Sequence, residues 1–140
     1  MIPALRRPKV LTSNNSPIKF MILTLKNGKK LVVSSDSFHS IMNIEHKYNC
    51  MVCKTEFDFD DEHKANHKKL ETHKQKLTLY PHKEDFEENL IRQLDTETCY
   101  CTICGVSLST HSLMRHLSAG VHKMELIKAK NRAYTYKPLE

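Results

Sequence analysis

Two Cys-x-x-Cys pairs, Cys50/Cys53 and Cys101/Cys104, are each followed by spaced histidines. That pattern predicts a small zinc-stabilised α+β fold of two ββα zinc fingers, because two thiolates and two imidazoles complete the tetrahedral shell of a structural zinc ion. Composition agrees. A chain of 140 residues with no Trp, three Gly and a mean hydropathy of -0.53 is poor material for one large core. Metal binding then supplies folding free energy that burial cannot. Local patterns add an N-terminal β-hairpin and a helical acidic linker that joins the fingers.

Residues 1–16 combine Arg6, Arg7 and Lys9 with Pro3, Pro8 and a Ser/Asn-rich run, the composition of a disordered basic tail. Its sharper reading is a phosphate-contacting arm or part of a nuclear import signal. Residues 17–44 read as a hairpin plus a short helix. Asn27-Gly28 lies between β-prone runs at 18–25 and 29–34, and such a pair accepts positive φ at both central positions of a tight turn. Ser35-Asp36-Ser37 is placed to cap a helix from Phe38 to Asn43. A lone hairpin is marginal in water, so this one should pack on the first finger or pair with a partner chain.

Residues 45–80 form the first finger, with Tyr48 just before Cys50 and Phe57 four positions after Cys53 as its small core. Asp58, Asp60, Asp61 and Glu62 open its helix, where acids complement the macrodipole. His63, His67, His73 and His82 compete as ligands. His63 and His67 share a helical face, but only nine residues separate Cys53 from His63, too few for a strand, a turn and the first helical turns. The preferred set is Cys50, Cys53, His67 and His73, with His63 the competitor of His73 for the last place. Positions six apart differ by about 240° around a regular helix, so both histidines face one ion only if the helix breaks between them. Gly120 is placed to allow that in the second finger. Residues 68–72 contain no glycine, which makes the first finger's distortion the costlier.

Residues 81–98 carry two basic and six acidic residues. Phe86, Leu90 and Leu94, with Ile91 beside them, trace an apolar stripe on a helix that either packs inward or docks a partner. Residues 99–130 hold the second finger and a basic helical extension. Its ligands are Cys101, Cys104, His116 and His122, with eleven residues between Cys104 and His116 and five between the histidines. Gly105 lets the chain turn around the metal, and Leu108 and Leu113 form the apolar wedge. Residues 131–140 are read as a flexible tail carrying Tyr134 and Tyr136 beside Lys137. Cys99 has no assigned role.

The second finger resembles the matrin-type zinc fingers found in spliceosomal and double-stranded-RNA-binding proteins. The likeness is carried by Cys101, Cys104, His116 and His122, with Leu108, Leu113 and the His116-Leu117 pair. The five-residue histidine gap is that branch's mark. The Cys-to-His interval departs from the pattern by one residue in each finger, shorter in the second and longer in the first. The resemblance implies a ββα finger that binds structured RNA in many members, DNA in some and proteins in others.

Residues 1–48 carry eight Lys/Arg against two acids, and residues 99–140 six against two, so basic ends flank an acidic waist in a chain of net charge +6. Basic ends suit a polyanion. The candidate contacts are Lys64, Lys68, Lys69 and Lys74, with Lys76, in the first finger, and Arg115, Lys123, Lys128, Lys130 and Arg132 in the second. RNA is the first candidate partner and DNA the second. A DNA-reading array takes about three base pairs per finger in register, whereas 27 residues, many acidic, separate His73 from Cys101. Independent fingers contacting RNA backbone and shape fit better. The alternative is a protein-interaction adaptor in a chromatin or RNA-processing complex, docking through the acidic linker helix or the hairpin edge. Catalysis is not expected, because both ligand sets are closed and no nucleophile motif or phosphate-cradling glycine loop appears. Five cysteines, nine histidines and no N-terminal signal peptide point to a reducing compartment. The longest apolar run, Phe20 to Leu25, is too short to cross a membrane. A nuclear location is expected.

Overall fold

The computed structural model describes residues 19–135, so the basic tail at 1–16 and the last five residues lie outside it. Strands β1 (Phe20–Thr24) and β2 (Lys30–Ser34) form the expected antiparallel hairpin, with Thr24 opposite Lys30. Its turn is not the tight Asn-Gly form. Only Gly28 has positive φ (88°), and its amide returns to the Leu25 carbonyl (2.9 Å) while the Leu25 amide binds the Lys29 carbonyl (2.8 Å). This is a type I turn closed by a left-handed glycine. Asn27 contributes its side chain, whose Oδ1 accepts from the Lys29 amide at 3.0 Å.

The hairpin packs on the second zinc module, not the first. Leu31, Val32 and Val33 of β2 are buried beneath helix α5 (Gly120–Thr135). Near the end of that helix, Arg132 donates to the Val32 carbonyl (3.1 Å) and lies over the Phe20 ring. Residues 131–135 are therefore helical and anchored, where a flexible tail was expected.

From residue 35 onward the chain makes one sequence of shapes twice. The first pass is α1 (Ser35–Phe38), strands β3 (Ile41–Ile44), β4 (Lys47–Cys50) and β5 (Thr55–Asp58), then helices α2 (Asp61–Lys69) and α3 (Glu71–Leu79). The second is a 3-10 helix (Glu84–Asn89), strands β6 (Ile91–Gln93), β7 (Thr98–Cys101) and β8 (Val106–Ser109), a short 3-10 turn, then α4 (Leu113–Ser118) and α5. Each pass builds an antiparallel three-stranded sheet. The ββα expectation is thus corrected to three strands followed by a broken helix.

Left-handed residues produce the extra strand. Ser34 caps α1 by accepting from the Ser37 amide (3.1 Å), but Ser40 (φ 62°) ends the helix, so no helix runs from Phe38 to Asn43 and β3 begins at Ile41. Glu45 and His46, both at positive φ, then make a two-residue turn of the mirror-image type into β4. Leu90 (φ 52°) repeats the role of Ser40 ahead of β6. The Ser40 carbonyl accepts from the Met51 amide (2.9 Å) and the Leu90 carbonyl from the Thr102 amide (3.0 Å).

The predicted linker helix does not form. Residues 84–89 are 3-10, kinked at Glu87 (φ 47°, ψ -121°), and Ile91–Gln93 is a strand. Leu90 and Ile91 enter one core with Leu31, Val33, Cys101, Leu113 and Ala129. Leu94 enters another with Ile41, Tyr48, Cys50, Val52 and Tyr100. One helical stripe faces one way and cannot feed two cores, whereas a short strand with a bend at each end can.

The two modules are fused rather than strung out. Tyr100, from the second, is fully buried in the first module's core. Arg92 of β6 is 2% exposed; it donates to the Tyr80 carbonyl (2.7 Å) and the Phe38 carbonyl (2.8 Å) and lies over the Phe38 ring. Burial lowers its pKa to about 10. Gly105 (φ 70°) presses against α1, where an added Cβ would sit 2.9 Å from Ser37 Oγ. His82, one of the competing histidines, is half-buried and hydrogen-bonded to Thr102 Oγ1 (2.7 Å).

Both helices break as metal geometry requires, by the same device. Leu70 (φ -62°, ψ 136°) and Ala119 (φ -73°, ψ 146°) are each extended for one residue between two helices. Any residue adopts that conformation, so the first module needs no glycine and its break is no costlier. Gly120 merely starts α5, and a Cβ there would meet nothing within 4 Å. Gly120→Ala is expected to raise stability by about 0.5–1 kcal/mol through helix propensity and a less flexible unfolded chain. Thermal unfolding of the zinc-loaded protein checks this, and a lower midpoint would mean that the break needs glycine.

Candidate metal centres

The strands deliver the thiolates and the broken helices deliver the imidazoles. In the first module, the β4–β5 knuckle turns at Lys54 (φ 56°), whose amide binds the Cys50 carbonyl (2.7 Å). Gly105 makes the equivalent turn, binding the Cys101 carbonyl (2.8 Å). Each turn aims a Cys-x-x-Cys pair at one point. Asp60 caps α2 by accepting from the His63 amide (2.8 Å) and also holds the His63 ring (2.6 Å), so His63 groups with Asp58 and Asp60 and lies outside the Cys50, Cys53, His67 and His73 set. Phe57 stacks on His67 with centroids 4.7 Å apart and orients it.

The ligand atoms of Cys50, Cys53, His67 and His73 lie within 4.8 Å of one another, as do those of Cys101, Cys104, His116 and His122. These are the two predicted sets. His73 Nδ1 is 3.5 and 3.4 Å from the sulfurs of Cys50 and Cys53, and His122 Nδ1 is 3.6 and 3.5 Å from those of Cys101 and Cys104. A tetrahedral zinc with ordinary Zn–S and Zn–N bonds places sulfur and nitrogen about 3.6 Å apart. The Nε2 atoms of His67 and His116 are buried and have no hydrogen-bond partner, the condition of a ligand atom aimed at an ion. The donor sets therefore fit two zinc ions, each bound by two sulfurs, one Nε2 and one Nδ1.

Electrostatics favours the ligating form of two imidazoles and of one thiol, and leaves the raised thiols dependent on the ion. Burial lowers His73 to about 4 and also depresses His67, so both imidazoles are neutral at pH 7. Burial pushes the Cys50 thiol up to about 12, an environment that holds a thiolate only with a cation against it. In the second pair, a hydrogen bond with Cys104 draws Cys101 down to about 5, and Cys104 is raised in return. No disulfide competes, since all five cysteines are free. Cys99 is buried in the hairpin-side core, a packing role.

The candidate polyanion contacts divide. Lys64 and Lys68 both bind Asp36 (2.9 and 2.7 Å), pinning α2 to α1. Lys130 binds Glu88 (2.7 Å), and Arg132 is held on the hairpin. Lys69, Lys74, Lys76, Arg115 and Lys123 are exposed; Lys128 is exposed but paired with Glu125 (3.3 Å). Sequence spacing missed Arg92, and it missed His39 and Asn89, which approach His73 and His122 from behind. Nothing local marks these three.

The fold and donor sets define a zinc-binding protein with two fused two-Cys, two-His modules. No protein-family model, curated protein or solved structure matches the chain. Among the described residues, no helix is long and apolar enough to cross a membrane.

Proposed function

We propose that this is a non-catalytic, zinc-stabilised nucleic-acid-binding module that contacts structured RNA, with DNA the second candidate. The observation that carries this reading is the pairing of Lys74 with Lys123. Each follows the second histidine ligand of its module and is exposed, and each donates its amide (3.1 Å) to the carbonyl of the residue that breaks the helix. Lys69 and Arg115, also exposed, stand beside the first histidine on the other side of the break. Fusion of the modules holds these cations in a fixed relation, which suits recognition of shape and phosphate rather than a base-by-base array. The resemblance of the second module to matrin-type fingers supports RNA. Four protein ligands at each zinc leave no open position for a substrate, which supports a structural metal. A nuclear location goes with this reading and is tested by imaging the tagged chain.

Binding of a labelled RNA stem-loop, followed by anisotropy against salt, tests the proposal. Four phosphate contacts predict a log–log slope of about -3. Changing Lys69, Lys74, Arg115 and Lys123 together to Glu is expected to abolish binding with both zincs retained. A flat salt response, or unchanged binding by that variant, would sink the RNA reading.

One observation favours an adaptor instead. Met114, Val121, Met124 and Ile127 of α4 and α5 are 49–73% exposed. A nuclease-resistant partner lost on changing Met124 and Ile127 to Asp would select it. Leu90 and Leu94 belong to the cores and report folding, not docking.

A further inference from the structure

The duplicated module carries one more matched pair of side chains. The residue before each left-handed turn, His39 ahead of Ser40 and Asn89 ahead of Leu90, stands behind the second histidine ligand of its own site. His39 Nδ1 is 2.9 Å from His73 Nε2, and Asn89 Oδ1 is 2.7 Å from His122 Nε2. The backbone carbonyls of the same two residues face the first cysteine of each pair, at 3.9 Å from Cys50 Sγ and 4.0 Å from Cys101 Sγ. A side chain and a carbonyl from one position thus touch two ligands of the same site, and the arrangement occurs twice.

We propose that His39 and Asn89 are the outer-shell positioning residues of the two zinc sites, each fixing the tautomer and ring orientation that presents Nδ1 of the last histidine to the ion. The inference rests on zinc as the bound metal. Ligation through Nδ1 needs the lone pair there and the proton on Nε2. That Nε2–H must find an acceptor, because His73 and His122 are 0% and 1% exposed and water cannot replace it. In the second site the acceptor is an amide oxygen. Its identity as oxygen is set by the other end of the group, since Asn89 Nδ2 donates to the Phe86 carbonyl (3.0 Å). In the first site the acceptor is the Nδ1 lone pair of a neutral imidazole, with the His39 proton on Nε2. The His39 and His73 rings meet edge to edge for this bond, with centroids 5.1 Å apart and planes inclined by 29°. One position therefore does one job with two chemistries, which is why the pair is invisible to a comparison of residue types.

Two measurements on the full zinc-loaded chain test this. Competition with a chromophoric chelator reads the affinity of each site, and long-range proton–nitrogen NMR of the histidine rings reads which nitrogen holds metal and which holds hydrogen. Asn89→Leu is expected to weaken one zinc by about 10- to 100-fold and leave the other near its wild-type affinity. His39→Leu should do the converse, and His39→Asn, which restores an acceptor, should recover most of the loss. In the wild type, His73 and His122 should show metal on Nδ1 and hydrogen on Nε2. Should a substituted chain fail to fold, the wild-type rings decide alone. Metal found on Nε2 of those two histidines, or two full-affinity zincs in both Leu variants, overturns the proposal. The wild-type zinc count by native mass spectrometry remains a separate check on the metal itself.

Discussion

Removing zinc should unfold the described domain as a whole. An excess of a strong chelator at neutral pH is expected to collapse near-ultraviolet dichroism and amide dispersion together, and readdition of two equivalents should restore them. The reason lies in where the ligands sit. Cys50, Cys101, His73 and His122 are each at most 1% exposed. They share two cores with Leu31, Ile41, Tyr48, Ile91, Tyr100 and Leu113. Without the ions, those cores would contain two pairs of close thiols and unpartnered imidazole nitrogens, each buried polar group costing about 1–3 kcal/mol. Structural zinc supplies about 10–16 kcal/mol per site in small peptides, against a whole-domain stability of about 5–15 kcal/mol. No plausible apolar remainder offsets that loss. Because the cores interlock, Cys53→Ser or Cys104→Ser should also lower the stability of the module that keeps its ion. A native-like spectrum in the presence of the chelator, with no zinc bound, would defeat the metal assignment at its root.

What could be read in advance was whatever depends on ligand chemistry and local turn chemistry. Thiol and imidazole spacing located both donor sets, and the angular mismatch of histidines six apart required a helix break in each. Gly120 misled because glycine was treated as the agent of the break, when an extended φ/ψ is open to leucine and alanine alike. The third strand of the first module was hidden because its entry and exit turns use Ser40, Glu45 and His46 in left-handed conformations, with none of the Gly or Asn that mark such turns most strongly. The linker failed for a related reason. Phe86, Leu90 and Leu94 have helical spacing, but Leu90 is itself left-handed and its neighbours serve opposite cores. Basic residues were the least legible. Lys64 and Lys68 look like solvated cations on a polar helix until Asp36, remote in sequence, is seen to hold both. Long-range pairing of this kind leaves no local trace, and four of the ten candidate contacts, Lys64, Lys68, Lys130 and Arg132, have such partners.

Arg92→Leu should cost about 2–5 kcal/mol, lowering the thermal midpoint of the zinc-loaded protein by roughly 10–20 °C. Arg92 is the one side chain among the described residues that ties β6 of the second module to both ends of the first, through the Phe38 carbonyl at the end of α1 and the Tyr80 carbonyl after α3. Leucine fills similar volume and removes the burden of a buried cation, which offsets part of the loss. It cannot serve either carbonyl, and both would then be left unpaired beside a packed core. Arg92→Lys keeps the charge but lacks the planar fork that reaches two acceptors, so its loss should fall between wild type and leucine. The location of the damage is as diagnostic as its size. Phe38 immediately precedes His39, so loosening that carbonyl should release zinc from the first site earlier than from the second during a chelator titration. A single unfolding transition with unchanged midpoint, and simultaneous release of both ions, would mean that the modules are held together by their apolar contacts alone.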